Sequence, residues 1–590
     1  MTSLHAVTRH PFFFLLATST LLVNQISALG FADCLETVKR ELPIDGTPNA
    51  NGTTLNTDAQ VFRNGFDVVY HGPLRGFVGE SRPITLTKDG CIEMCGAAPK
   101  YYSVTDAFQI LTTWIFPTLA LMSQLPYESL SYRKIKNAEA FANWIGAPAA
   151  ALTTTIWNIM MIARCQSLPH QFHLRDDQDL IKDALYILSC INQYQYPRRK
   201  GQQDQDRRRD TALLRGVLFP YVRRDSPELT QPVREKLVHL TKHLAFHLRQ
   251  YRRKGVYPIY ISIVWFGIAF AFSIVIAFAT LGDNTTAHSL ALGLLLSWVP
   301  VVVFASVVDR NPTSDTRCRV LIERWMFNID LLFEQGVNAW VPWRAPDGTH
   351  DGDDTDNFEI GDFMGQGRTL RYCGVTDTVL DKIANRGKAP INLLAFVDMD
   401  DFRKFQKSLT TRPTGWYVVW LISQFIVSTS FGMAFMVSFN TPTIGLGCRS
   451  LMYVVWYALT LPSWILLGIQ QEPWISIRKA MMLPNALAVI MIAGIMIVHA
   501  IGGLNNCTCK SSVFGLSSYG GYMDFENGEF YQKHYGVRVW WGVGTGVGGA
   551  VLCLSLAWLA WKWHKASGLW KVTGDTKLTV SEDMPLQWLT

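Results

Sequence analysis

With 590 residues, 49% of them hydrophobic, only 17% charged and 20 of them tryptophan, the chain is too apolar for a string of soluble domains, in which roughly 25% of residues are charged. The formal net charge of +7 is modest, and no nucleotide loop, catalytic constellation or complete metal-ligand motif interrupts the sequence. A cofactor, a nucleic-acid partner and an enzymatic activity are therefore not expected.

Residues 1–30 have the form of a secretory signal peptide. Arg9 gives a positive start, Pro11–Val23 an apolar core, and Ala28-Leu29-Gly30 small residues at the cleavage positions. An uncleaved anchor is the alternative. Either way residues 31–104 are expected on the extracytoplasmic side. Within them Lys88–Cys95 reads as a short helix, with Thr87 as N-cap and Gly96 at its end.

Residues 105–163 hold a first hydrophobic pair, Ala107–Leu125 and Trp144–Ala163. If both crossed a membrane, residues 164–256 would be translocated. That region carries nineteen Lys and Arg against ten Asp and Glu, and such loops stay cytosolic. Trp144–Ala163 is read as the segment that does not cross. Arg133, Lys134, Lys136 and Arg164 flank it, and its first half is weakly apolar, which suits a re-entrant or in-plane element.

The basic region 164–256 is expected to be cytosolic and helical. Asp179–Tyr194 has helical apolar spacing, whereas Pro197–Asp210 reads as a solvated linker. In Val233–Tyr251 an apolar stripe of Val233, Leu237, Leu240, Leu244 and Leu248 is ringed by Lys236, Lys242, Arg249, Arg252 and Arg253. Two readings are open: a helix on anionic lipids of the inner leaflet, or a surface helix packed on other cytosolic segments. His239, His243 and His247 lie one turn apart on it. They form a weak metal candidate, since no acid or Cys completes the set.

Six long apolar stretches follow, free of acids, Lys and Arg except for Lys562 at the end of the last: Tyr257–Leu281, Ala287–Val308, Trp416–Phe439, Leu451–Ile469, Leu483–Gly503 and Val539–Trp563. About 20 such residues cross a hydrocarbon layer of roughly 30 Å. They form a pair at 257–308 and a group of four at 416–563. Between them lies a second cytosolic region, 309–415. It contains a helical pattern at Val320–Phe333, an acidic run at Asp347–Glu359 that fits a calcium loop poorly, and a glycine-rich Gly361–Arg371 read as a flexible loop. Residues 564–590 form a cytosolic tail. Lys and Arg cluster at alternate ends of the stretches, which sets this orientation.

The cysteines divide along the same line. Cys34, Cys91, Cys95, Cys448, Cys507 and Cys509 fall on the outer side and are disulfide candidates with open connectivity. Cys165, Cys190, Cys318 and Cys373 fall on the cytosolic side. The glycosylation sequons Asn51, Asn284 and Asn506 are also outside.

Ionisable groups inside spans mark ion or proton pathways. Only His288 and His499 occur, near the outer ends, which weakens the case for a proton-coupled transporter. A permeation path would need a wet cavity lined by residues such as Gln424, Ser428, Thr429 and Asn485. Glycines 542, 544, 546, 548 and 549 suit close helix packing, and Pro300 and Pro462 suit kinks.

Lys88–Leu130, together with DALYILSCINQY at 183–194 and GDFMGQGRTLRYCGV at 361–375, resembles a family of multi-span membrane proteins from filamentous ascomycete fungi. The resemblance implies a membrane protein of fungal source and brings no activity or site residue. The expected architecture is an all-α polytopic membrane protein. It has seven to eight transmembrane helices, a small disulfide-containing ectodomain and two cytosolic helical regions. The expected role is receptor-like or scaffolding in a secretory-pathway membrane, the plasma membrane in particular; a channel or uncoupled transporter is the alternative.

Overall fold

The computed structural model describes residues 34, 37–38, 60–78, 83–123, 134–171, 178–196, 203–222, 229–252, 257–279, 284–309, 314–337, 358–367, 370–385, 405, 407, 409, 411–441, 443–469, 475–511, 521–524 and 537–570. The proposed signal peptide, Asn51, the basic run at 197–202, most of the acidic run and the tail after residue 570 lie outside them. Three parts follow from the chain: a small cap, a bundle of apolar helices and a helical layer rich in charge.

The cap begins with β1 (Phe62–Arg63) and β2 (Phe66–Asp67). Asn64 and Gly65 join them with φ of 49° and 86°, the pair of left-handed residues that a two-residue hairpin turn requires. β3 (Thr85–Thr87) leads into α1 (Lys88–Cys95). The Thr87 hydroxyl accepts from the Gly90 N–H at 3.0 Å, and Gly96 with φ 84° stops the helix. β3 pairs antiparallel with β4 (Tyr522–Asp524), Leu86 opposite Met523, so the cap is closed by a segment from the far end of the chain.

The chain then enters the bundle through α2 (Val104–Ile110), a π turn at Leu111–Ile115 and α3 (Phe116–Ser123). Next come α4 (Lys134–Gly146) and α5 (Pro148–Ser167). The layer takes α6 (Gln178–Ile191), α7 (Gln203–Leu218) and α8 (Gln231–Gln250). α9 (Tyr257–Ala279), α10 (Asn284–Leu295) and α11 (Trp298–Val308) return to the bundle. α12 (Asp315–Glu334) and α13 (Val375–Asn385) belong to the layer. α14 (Thr414–Phe439), α15 (Cys448–Ile469), α16 (Ile475–Ile501), the short α17 (Cys507–Lys510) and α18 (Val537–Ala566) complete the chain.

Among the described residues six helical spans are long and apolar enough to cross a membrane, or seven if the bent pair α4–α5 counts as one. That is one fewer than the sequence suggests. Ala107–Leu125 accounts for the difference: its helix, described as far as Ser123, carries Asp106 and Gln109 near the start. It nevertheless packs inside the bundle. The Trp114 ring lies edge-on to Phe266 and Phe270, its Nε1 donates to Ser289 at 2.7 Å, and only a glycine at 293 leaves room for it. The α10–α11 span is the central one, with 94% of its apolar window buried against 28–39% for the other five. It is interrupted before Pro300, which has no N–H for the Leu296 carbonyl; Val299 donates there instead at 2.9 Å. The outer spans turn side chains such as Phe272, Phe425, Ile490 and Leu554 outward, apolar on the face a bilayer would cover.

In α18, Gly544 and Gly548 lie against Val437 of α14 and Leu294 of α10, so two of the five glycines serve close packing. Gly542 and Gly546 have no other atom within 4 Å of an added Cβ.

Two expectations for the layer need correction, and of two open readings the structure favours one. Residues 203–210 are not a solvated linker but the first half of α7. Arg208 pairs with Asp330 at 2.6 Å and Glu334 at 2.8 Å, and buried Arg209 stacks on Tyr196. Residues 361–367 are not a free loop. The Gln195 N–H donates to the Asp362 carbonyl and the Gln195 carbonyl accepts from the Gly361 N–H, and Gly367, at φ 69°, lies against Ala151 of α5. Finally, the α8 stripe does not face lipid. Leu237, Leu240, Leu244 and Leu248 are buried in the layer's core with residues of α6 and α12. Arg249 pairs with Asp183 at 2.6 Å and donates to the Leu569 carbonyl, and Arg252 lies over Trp570. An apolar stripe ringed by cations looks the same whether lipid or protein covers it, so periodicity alone could not decide.

Candidate functional site

Two polar assemblies tie the three parts together. The first sits where cap meets bundle. Tyr102 follows Lys100, whose N–H donates to Asn505, and the Tyr102 N–H donates to Ile501 at the end of α16. Its hydroxyl reaches Nδ1 of His288 at 2.8 Å, and the His288 ring lies 5.3 Å from that of His499. His499 is wholly buried on α16. Its Nδ1 contacts the Ile495 carbonyl at 3.0 Å, which can only accept, so the neutral ring carries its proton there. Nε2 is then the acceptor for the Tyr453 hydroxyl at 2.8 Å. Buried Arg449 donates beside it to Ser438 at 2.8 Å and to the Thr441 carbonyl at 2.5 Å. Tyr–His and His–Tyr pairs thus join four segments through groups that have found partners.

Above this cluster Cys34–Cys95 braces the cap, Cys91–Cys507 joins it to α17, and Cys448–Cys509 joins α17 to α15. All six cysteines assigned to one side are paired. Cys165, Cys190, Cys318, Cys373 and Cys553 are free thiols. The sulfurs of Cys91, Cys95 and Cys507 lie within 4.8 Å of one another, the spacing of a metal site, but each is already in a disulfide. Burial pushes the Cys373 thiol up to about 11, so it is inert rather than nucleophilic.

The second assembly is the bent pair. α4 and α5 meet at 100°, where Gly146 abuts the Asn485 backbone so closely that an added Cβ would sit 2.1 Å from its carbonyl oxygen. Asn485 accepts from Ser463 at 2.7 Å and donates to Asn143 at 3.1 Å. Farther along α5 the Asn158 carboxamide accepts from Asn192, just past α6, at 2.8 Å. Asn192 in turn accepts from the Thr376 N–H of α13. Arg164 is paired with Asp377 and, at 2.7 Å, with Asp381. Almost every residue of α5 is buried, and its Thr153, Thr154 and Thr155 hydroxyls are spent on its own carbonyls.

The remaining sequence candidates fall as follows. His243 and His247 bring their Nε2 atoms within 3.3 Å, while exposed His239 only stacks on His243, so the three do not converge on one point. Burial, with the neighbouring histidines second, holds His243 near 3; burial also lowers His239 and His247. The Asn506 side chain caps α17, accepting from the Cys509 N–H at 2.8 Å. Asn284 opens α10, its side chain outside the described residues. Phe358, at the twelfth position of the calcium-like run, is buried against Phe327 and offers no ligand. Gln424 and Ser428 bond to Tyr457, and Thr429 to its own helix.

Sequence reading marked His288, His499 and Asn485 but missed Tyr102, Tyr453, Asn143 and Asn192. An i-to-j pair 186 or 342 residues apart leaves no local signal.

Comparison with family models, curated proteins and solved structures finds no match. The span helices decide the class. This is a multi-pass membrane protein.

Proposed function

We propose that the chain is a receptor-like or scaffold protein that couples a disulfide-braced outer cap to a cytosolic helical layer. The observation that carries this reading is the bent pair α4–α5: Asn143 of α4 is bonded through Asn485 to Ser463 in the bundle, and Asn158 of buried α5 is bonded through Asn192 to Thr376 in the layer. The disulfides at one end and free thiols Cys165, Cys190, Cys318 and Cys373 at the other support an oxidising outer side and a reducing inner one. The basic loops support the same orientation. On this reading residues 1–30 are a signal peptide, Asn51, Asn284 and Asn506 are open to glycosylation, and the tail is cytosolic. The plasma membrane is the proposed site, and the resemblance noted above adds a fungal source.

The rival reading is a channel or uncoupled transporter. Reconstitution of the purified chain in sealed liposomes separates them. The scaffold reading expects release of trapped ions and small neutral solutes at the rate of protein-free vesicles; release above that rate overturns it. Protease protection of tags at residues 60, 205 and 590 in sealed microsomes tests the orientation, with protection at 205 the outcome that reverses it.

A further inference from the structure

The middle of the α14–α15 face holds a polar trio where the neighbouring surface is apolar. Gln424 Nε2 donates to the Tyr457 hydroxyl at 2.7 Å and to Ser428 at 3.2 Å, and Ser428 and Tyr457 share a 2.7 Å bond. All three are half-buried, while Leu421, Phe425, Val454 and Val455 around them are exposed. The carboxamide oxygen of Gln424 has no partner among the described residues; turning the amide over would leave its N–H groups in that position instead. Half of an amide therefore faces the surface that hydrocarbon would cover, at a depth where water cannot satisfy it. Exposed residues on other spans, such as Phe272, Leu487, Ile490, Val543 and Val547, are apolar and carry no such group.

We propose that this face is where a second copy of the chain docks. One of the two hydroxyls donates to the other, which leaves the trio one hydroxyl proton and the carboxamide oxygen as acceptor, so it is complementary to itself. Two copies related by a two-fold axis would place the Gln424 carboxamide of each against Ser428 or Tyr457 of the other. Polar side chains in mid-span join membrane helices in this way. The face is also held in shape before association. Trp420 and Trp464 stack at 3.9 Å, and each indole N–H donates to the other's backbone carbonyl, at 3.0 and 3.1 Å. Phe431 stacks on Tyr457 at 4.2 Å on the other flank. The inference needs only the membrane placement of these helices, so the liposome flux result bears on the proposed function and not on this face.

The test is thiol cross-linking of the full chain in native membranes, in a Cys553→Ser background. Phe425→Cys is expected to give a covalent dimer with a short bifunctional reagent, and Ile490→Cys, on α16, at least tenfold less. Adding Gln424→Leu and Ser428→Ala is expected to lower the Phe425→Cys dimer about tenfold. Ser428→Ala alone, which removes one hydroxyl and keeps the helix pair, gives a smaller fall in the same direction. Equal cross-linking at both cysteines, a dimer indifferent to the polar substitutions, or a Phe425→Cys thiol consumed within one copy would each overturn the proposal. The last outcome would assign the face to another segment of the same chain.

Discussion

The cap and the helical layer flank the same bundle but are held together by different means. Among the described residues the cap's apolar cluster has ten members, and four of them are cysteines already spent in disulfides. The layer's cluster has more than forty and uses none of its cysteines covalently. A small core buries too little apolar surface to offset chain entropy and needs covalent help; a large one does not. The layer instead tolerates buried charge, as at Asp183–Arg249 and Arg209–Asp206, because its core leaves margin for desolvating those groups.

Reduction should separate the two regions most sharply. Removing a native disulfide from a small domain costs roughly 2–5 kcal/mol, and the cap with its α17 anchor has three to lose. Hydrogen exchange of the protein in detergent, with and without a reductant, should show α1 and β3–β4 losing protection while α6 and α12 keep theirs. Loss in the layer of the same size would dissolve the contrast. Asp183→Ala should do the reverse. It leaves the Arg249 charge buried without its carboxylate, at a cost of about 3–5 kcal/mol. The same experiment should find α6 and α8 loosened and the cap intact.

Acid should act on the layer as well. The His243 imidazole is held near 3 when folded, below the ordinary value of 6.5. The unfolded chain therefore binds a proton that the folded one refuses. Stability is whole above pH 6.5 and falls as pH drops from there toward 3, by roughly 2 kcal/mol at pH 5 from this residue alone. Exchange in α8 measured at pH 7 and pH 5 checks the sign; greater protection at pH 5 would contradict it. The smallest effect is local. Gly367→Ala puts a Cβ 3.0 Å from Ala151 in a left-handed conformation, costing about 1–3 kcal/mol. It should show as faster exchange where the 361–371 segment meets α5, with cap and bundle unchanged.

What the sequence disclosed follows from the range of each signal. The spans are legible because apolarity over about 20 residues is a local property. The α1 helix is legible because Thr87 and Gly96 act on adjacent backbone. Which six cysteines pair could be read, but not that Cys91 seeks Cys507 rather than Cys95 beside it. Arg208 was read as solvated because its acids lie 122 and 126 residues away. The same holds for the site. His288 and His499 stand out as polar groups in apolar runs, whereas their tyrosine partners look like ordinary interfacial aromatics.

The Cys91–Cys507 bond also sets a schedule. The two cysteines are 416 residues apart, and β3 waits for β4 across a similar distance. At a synthesis rate of roughly 5–20 residues per second, about 20–80 seconds pass between the first thiol leaving the ribosome and the arrival of its partner. Through that interval Cys91 either stays a thiol or holds a bond to Cys95 or Cys34 that must later be exchanged. The part of the molecule made first is among the last to be finished, and a chain stalled before its final span would carry that open cap as a mark of its incompleteness.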